Sequence, residues 1–238
     1  PTTAKLNDLL KSPERVRTGP DSRAELTAAD NTLTRVGANT VFSFSDSGRT
    51  LNLEQGNLLF HSPRGNGGGT IKSGGASAAV LGTTLIASAT TDGGFKVILL
   101  EGSGTVTAPS GKKVTLKAGQ MVFILPGETE LSRVLDINLE RHVGGSLLVR
   151  GFNRPLPSAP LIAAAIDRQH QLMASGSTGE HGKPEGHKDG LDSVDHGAYQ
   201  TAAHPPLSIE QYELIANNVT GGLGGGGRNL SPVAFLKP

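Results

Sequence analysis

Five histidines, His170, His181, His187, His196 and His204, share one stretch of the chain with Glu180, Glu185, Asp189, Asp192 and Asp195. Imidazole and carboxylate together are a donor set for zinc or nickel. The spacing argues against a site. Successive histidines lie six to eleven residues apart, wider than compact ligand pairs, and a loose segment must be ordered before it can bind. A solvated linker is the expectation, with no metal. Nucleophilic chemistry fares no better. Ser, His and Asp are all present, but no Gly-x-Ser-x-Gly elbow occurs. The glycine runs at 66–69 and 221–227 do not follow the strand–loop–Lys-Ser/Thr pattern of a phosphate loop. No paired-carboxylate or dinucleotide motif stands in its proper context. The residues therefore predict no enzymatic activity and no cofactor.

Arginine offers another kind of chemistry. Arg17, Arg23, Arg35, Arg49 and Arg64 could converge on an acidic glycan or a carboxylate ligand. The plainer expectation is cross-strand pairing with Asp21, Glu25, Asp46 and Glu54. Gly82 with Thr83 and Thr84 could cradle an anion with backbone donors. A strand-to-strand corner that has no room for a Cβ is the preferred reading. Net charge is +1, with no basic block and few aromatics, so nucleic acid is not an expected partner. Asn218-Val219-Thr220 fits the glycosylation pattern, which we read as chance.

The elements that must position these groups are β-strands. From Ser22 to about Ser132, short alternating runs recur between turn signals, an all-β signature. Strands are expected at 23–26, 32–36, 40–44, 50–53, 57–61, 70–72, 79–81, 83–89, 95–101, 105–107, 114–116 and 121–125. Gln55-Gly56 reads as a turn, residues 62–69 as a loop, and Thr91-Asp92-Gly93-Gly94 as a hairpin. The near-continuous apolar run Phe95 to Glu101 should be buried. Lys5 to Leu10 reads as a helical turn or a strand, and 134–152 is open between helix and strand. Ser158 with Pro160 starts a helix that carries Leu161, Ile162, Ala165, Ile166 and Leu172 on a helical period and ends near Ala174. Residues 175–207 carry too few apolar groups to offset their ordering. Ser208 to Gln211 is a capping box that opens a short helix to about Asn217, followed by the glycine run and the tail.

The β region resembles the FecR domain, the extracytoplasmic part of bacterial FecR-type regulators and of many surface proteins. Val16-Arg17-Thr18-Gly19 with Ser22 to Leu26 looks like the family's entry segment. Arg49 to Gly56 looks like its strand ending in glycine. Val80-Leu81-Gly82-Thr83-Thr84 resembles its V-x-G-T-x turn. Val97 to Thr105, with Leu100-Glu101-Gly102, matches its V-x-x-G-x-V hairpin, and Leu116 to Gln120 its closing L-x-A-G-Q. The motifs span about Val16 to Leu125. The resemblance implies an all-β sandwich- or roll-like body, with Gly19, Gly56, Gly82, Thr83, Gly102, Gly119 and Gln120 as structural marks. It also implies receipt of a signal from an outer-membrane transporter. The helical sigma-factor segment and membrane helix of full regulators are not seen in this sequence, so the signalling role is not simply carried over.

The expected organisation is a lead-in at 1–18, a mainly β, FecR-like domain at 19–152, a Pro-led helix and His/Gly-rich linker at 153–207, and a short helix with a Gly-rich tail at 208–238. No apolar run is long enough to cross a bilayer. The chain has no Cys, hence no disulfide framework. It opens at Pro1 with neither the charged start nor the apolar middle of a signal peptide, and the expectation is an extracytoplasmic protein whose signal has been removed. Two functions follow. The first is structural: bodies joined into a homo-oligomer or filament, with Pro232, Val233, Ala234, Phe235 and Leu236 as an added strand on a sheet edge. The second is a sensory or binding module for a surface glycan, a peptide or a receptor segment.

Overall fold

A computed structural model describes residues 3–45, 48–175 and the backbone of 233–236. The strands are β1 (Leu9–Leu10), β2 (Arg15–Arg17), β3 (Ala24–Thr27), β4 (Leu33–Val36), β5 (Val41–Ser45), β6 (Thr50–His61), β7 (Gly69–Ser73), β8 (Ala76–Val80), β9 (Thr84–Ala89), β10 (Phe95–Glu101), β11 (Ser103–Thr107), β12 (Lys113–Lys117), β13 (Gln120–Ile124), β14 (Leu135–Asp136) and β15 (Val233–Leu236). Among the described residues three helices follow β14: α1 (Leu139–Gly145), α2 (Leu147–Arg150) and α3 (Ala159–Ala174). The protein is mainly β, as the alternation of its residues predicts.

The strands form one hydrogen-bonded sheet that curls on itself. Strand β6 is the corner. Its first half pairs with β5 and, in parallel, with β7. Its second half pairs with β4 and β9. The expected turn at Gln55-Gly56 is instead the bend of a single twelve-residue strand. Gly56 sits at φ +92°, and a Cβ there would lie 2.4–2.7 Å from Thr40 atoms. The pairing register with β5 shifts beside it, between Val41 and Phe42. A glycine bulge thus bends the strand without breaking it.

Curling places one apolar core inside and leaves a second on the outer face. Phe42, Phe44, Leu51, Leu58, Phe60, Leu85, Val97, Leu99 and Val122 fill the interior. The alternate residues Leu59, Ile86, Ile98, Leu100 and Met121 point outward and are covered by Leu139, Leu148, Leu156, Ile162 and Ala165. This two-sided cover is why all of Phe95 to Glu101 is buried.

The segment 134–152 resolves into β14, α1 and α2. Helix α3 begins and ends where its residues predict, with Ile162 and Ala165 buried, Ile166 half-buried, and Leu161 and Leu172 exposed. Two strands fall inside the expected lead-in, β1 and β2, and β2 pairs with β5. The expected helix at 208–217, the linker from 176 and the glycine run at 221–227 lie outside the described residues, as do His181, His187, His196, His204 and Pro232.

Candidate functional site: a polar groove and a sealed polar layer

The open site is a groove of about 590 Å³. Three elements build it. The exposed side chains of Asn52 and Glu54 on β6 flank Leu53, Lys72 and Ser73 on β7 lead into the Gly74-Gly75 turn and then Ala76-Ser77, and Thr90, Thr91 and Gly93 close it from the β9–β10 turn. Gly74 and Gly75 both have positive φ, +54° and +85°, so the β7–β8 turn is tight and contributes no side chain to the groove lining there. The Thr90 hydroxyl accepts from Gly94 N–H at 2.9 Å and bonds Asp92, which holds the facing turn. Glu54 is paired with Arg15 of β2. The groove offers one carboxylate, one ammonium, hydroxyls and peptide groups. That set hydrogen-bonds an extended polar ligand; it contains no nucleophile placed against a base.

Most of the groups whose proton affinity the fold perturbs lie elsewhere, on the sheet's outer face under the helices. Asp30 in the β3–β4 turn is the exception: its burial is outweighed by Thr32 and Arg49, which hold it down. Thr84 Oγ1 is 2.8 Å from Glu101 Oε1, 2.7 Å from Ser158 Oγ and 2.9 Å from His61 Nδ1. Its single proton goes to the carboxylate, and Ser158 and His61 then donate to it. All four residues are buried. Burial raises the Glu101 carboxyl above the usual range, against the bond from Thr84 and the charge of Arg64, and burial lowers His61. Ser158 was expected to cap α3 through its side chain. It stands at the N-cap, but its hydroxyl bonds Thr84 instead and ties the helix start to the sheet.

At the other end of the same face, Lys96 of β10 is opposite Ser88 of β9, which is opposite Asn57 of β6. His142 of α1 is electrostatically coupled to Lys96. Burial pushes Lys96 down to about 7. Burial, then Lys96, pushes His142 to about 4. Between these ends, Arg35 is fully buried. Its Nε donates to Glu25 at 2.9 Å, Nη1 donates to the carbonyls of Leu148 (3.1 Å) and Val149 (2.9 Å), and Nη2 donates to that of Arg154. Arg154 itself reaches the other oxygen of Glu25 at 2.9 Å. The Thr84 and Arg35 clusters fasten the helical segment to the sheet, while His142 stays half-buried and Arg154 reaches in from the surface.

The arginines of the sequence divide accordingly. Arg35 pairs with Glu25 across β4 and β3 in direct register. Arg49 pairs with Asp30, not with a strand partner. No convergence of Arg17, Arg23, Arg35, Arg49 and Arg64 on one point is present in the described structure. Gly82 has φ +62°, and a Cβ there would lie 2.7 Å from Arg64 Cγ. Next to it the Thr83 hydroxyl donates to Ser103 O at 2.9 Å, and a Cβ on Gly102 would lie 2.6 Å from that hydroxyl. Gly19 O accepts from Asn39 N–H, Gly119 N–H donates to Leu99 O, and Gln120 joins Lys117 N to Asp136. These marks sit at corners away from the groove. The groove residues, His61, Lys96 and His142 were not singled out from sequence. Lys96 had a signal, a lone cation in an apolar strand; the groove had none.

Comparison with known proteins supplies the family. Residues 14–103 match the family described as FecR protein. The chain contains a FecR domain. Every residue lining the groove falls inside the matched segment. No curated protein matches the chain. Two crystal structures of a candidate anti-sigma factor from Parabacteroides distasonis ATCC 8503, at 1.65 and 2.50 Å resolution, align with TM-scores of 0.46 and identities of 17% and 16%. Each alignment covers 52% of this chain and 59% of the other, so the match spans less than two thirds of that protein.

Proposed function

We propose that this protein is a non-catalytic, extracytoplasmic receiving module of FecR type, which binds an extended peptide segment of a receptor as a step in sigma-factor regulation. The observation that carries the reading is the position of the groove. The FecR segment carries an open groove lined mainly by hydrogen-bonding side chains and glycines, while Lys96, Glu101 and His142, whose proton affinity is shifted by burial, lie on the helix-covered face. An open groove edged by glycine turns and hydrogen-bonding side chains suits main-chain recognition of an extended chain. Among the described residues no helix is long and apolar enough to cross a membrane.

The test is chemical-shift mapping of the full chain with a library of ten-residue peptides and, separately, with neutral and acidic oligosaccharides. Peptide-induced shifts confined to amides 52–54, 72–77 and 90–93, weakened about tenfold by Lys72→Glu, are the expected result. Shifts only with sugars would move the reading to a glycan. Shifts outside the groove with every probe would remove it.

A further inference from the structure

Strand β3 has two neighbours, β4 on one side and β15 on the other. The β15 pairing is parallel, with Val233 opposite Glu25, Ala234 opposite Leu26 and Phe235 opposite Thr27. On its far side β15 pairs, again in parallel, with β1: Leu9 opposite Phe235 and Leu10 opposite Leu236. The order along the sheet is β1-β15-β3, and among the described residues β1 pairs with no other strand. The gap between β1 and β3 is therefore one strand wide, and a four-residue segment from the far end of the chain fills it.

Nothing in the pairing requires that segment to come from the same chain. Roughly sixty residues separate the end of α3 from Val233, a contour of about 190 Å when fully extended. A body of about 170 residues has a radius of gyration of about 15 Å, so the number of intervening residues is enough to span from one body to another. A second copy presents the identical gap, and its tail would make the same hydrogen bonds in the same register. The difference between the two arrangements is the effective concentration set by the tether, not any contact. The segment Val-Ala-Phe-Leu is also rich in strand formers.

We propose that the gap between β1 and β3 accepts residues 233–236 from a second copy of this chain, so that copies are joined by strand donation. Donation closes into a dimer when reciprocal and runs into an open chain when sequential.

The chain has no native cysteine, so introduced ones report alone. Thr27 and Phe235 are paired neighbours, and adjacent strands lie about 4.8 Å apart, within disulfide reach. Full-length Thr27→Cys and Phe235→Cys, purified separately, would be mixed under mild oxidation from about 10 µM to about 500 µM, to compete with a millimolar tether. The expected result is a mixed disulfide dimer that grows with concentration and exceeds by about tenfold the yield of Phe235→Cys with Lys113→Cys, which lies on the edge strand β12 at the other end of the sheet path. A yield no greater than that control overturns the proposal. So does a Thr27→Cys/Phe235→Cys double variant that closes only within one chain at every concentration. Ala234→Pro removes a main-chain donor from a strand with neighbours on both sides. It should abolish concentration-dependent mass in sedimentation while leaving the thermal midpoint of the body unchanged; persistence of the large species counts against donation.

Discussion

At the scale of single residues, the informative groups are the buried polar ones. Arg35 and Glu25 are 0% and 2% exposed. Arg35 also stacks 4.5 Å from the Phe152 ring centroid. A buried pair is costly to break because the surviving charge is left unpaired. Arg35→Ala should lower stability by about 3–5 kcal/mol, read as a shift in the urea midpoint at unchanged slope. Arg35→Lys should recover only part of this, since an ammonium cannot span Glu25 and three carbonyls as a planar fork does. Lys96 gives a prediction in pH. Its folded value, about 7, lies below the ordinary lysine value of 10.5. Between the two the unfolded chain binds more protons, so stability rises with pH from about 7 to 10. His142 acts in the same direction lower down, and its share is lost as pH falls from 6.5 to about 4. Lys96→Met should flatten the rise above pH 7 and shrink, without abolishing, the acid limb, since burial is the larger cause of the His142 shift and Lys96 the smaller, as measured by denaturation across pH 4–10.

At the scale of elements, β6 and α3 decide how the body is built. Gly56 carries the bend that lets one strand serve both halves of the curled sheet. Gly56→Ala sets a Cβ against Thr40 at positive φ, a strain of about 1–3 kcal/mol or more. The expected outcome is a matching loss in the urea midpoint, with amide exchange faster in β5 than in β10. Helix α3 is held at its start by Ser158 and Thr84, and near its end by Gln169, whose side chain donates to Ile137 O at 2.8 Å and accepts from Leu139 N–H at 2.9 Å. Thr84→Val leaves Glu101, His61 and Ser158 without their shared partner, at a cost of about 1–3 kcal/mol. Hydrogen exchange should then show α3 opening ahead of the sheet.

At the scale of the whole molecule, the fold keeps its two faces for different tasks. The helical layer is fixed on one face by buried ion pairs and hydrogen bonds, and the groove stands open on the other half of the sheet. Truncation at Thr220 removes β15. Strand β1 then loses its partner among the described strands and β3 becomes an open edge. The expected outcome is loss of exchange protection at 9–10 and 24–27. Light scattering at several concentrations, beside the full chain, should find the truncated chain monomeric, and groove binding should survive.

Alternation of apolar residues located most of the strands from β3 to β13, because half-buried strands print their period directly on the sequence, but it split β6 in two at Gly56 and set β8 too late in the chain. Ser158, Pro160 and the helical spacing after them likewise determined α3. The motifs from Val16 to Leu125 carried the family. What they did not carry was contact between distant segments. The bend at Gly56 looked like a turn because a glycine bulge and a hairpin turn use the same residue. Arg35 was legible as a partner of Glu25, but not as a buried anchor for residues 148–154, over a hundred positions away. The groove joins residues 52–54, 72–77 and 90–93, each bland by itself, and only the curl of the sheet brings them together. Local period and turn chemistry are properties of neighbours in sequence; sealing a lysine, closing a groove or leaving a one-strand gap depends on how the sheet folds over itself, and that was decided by the tertiary structure.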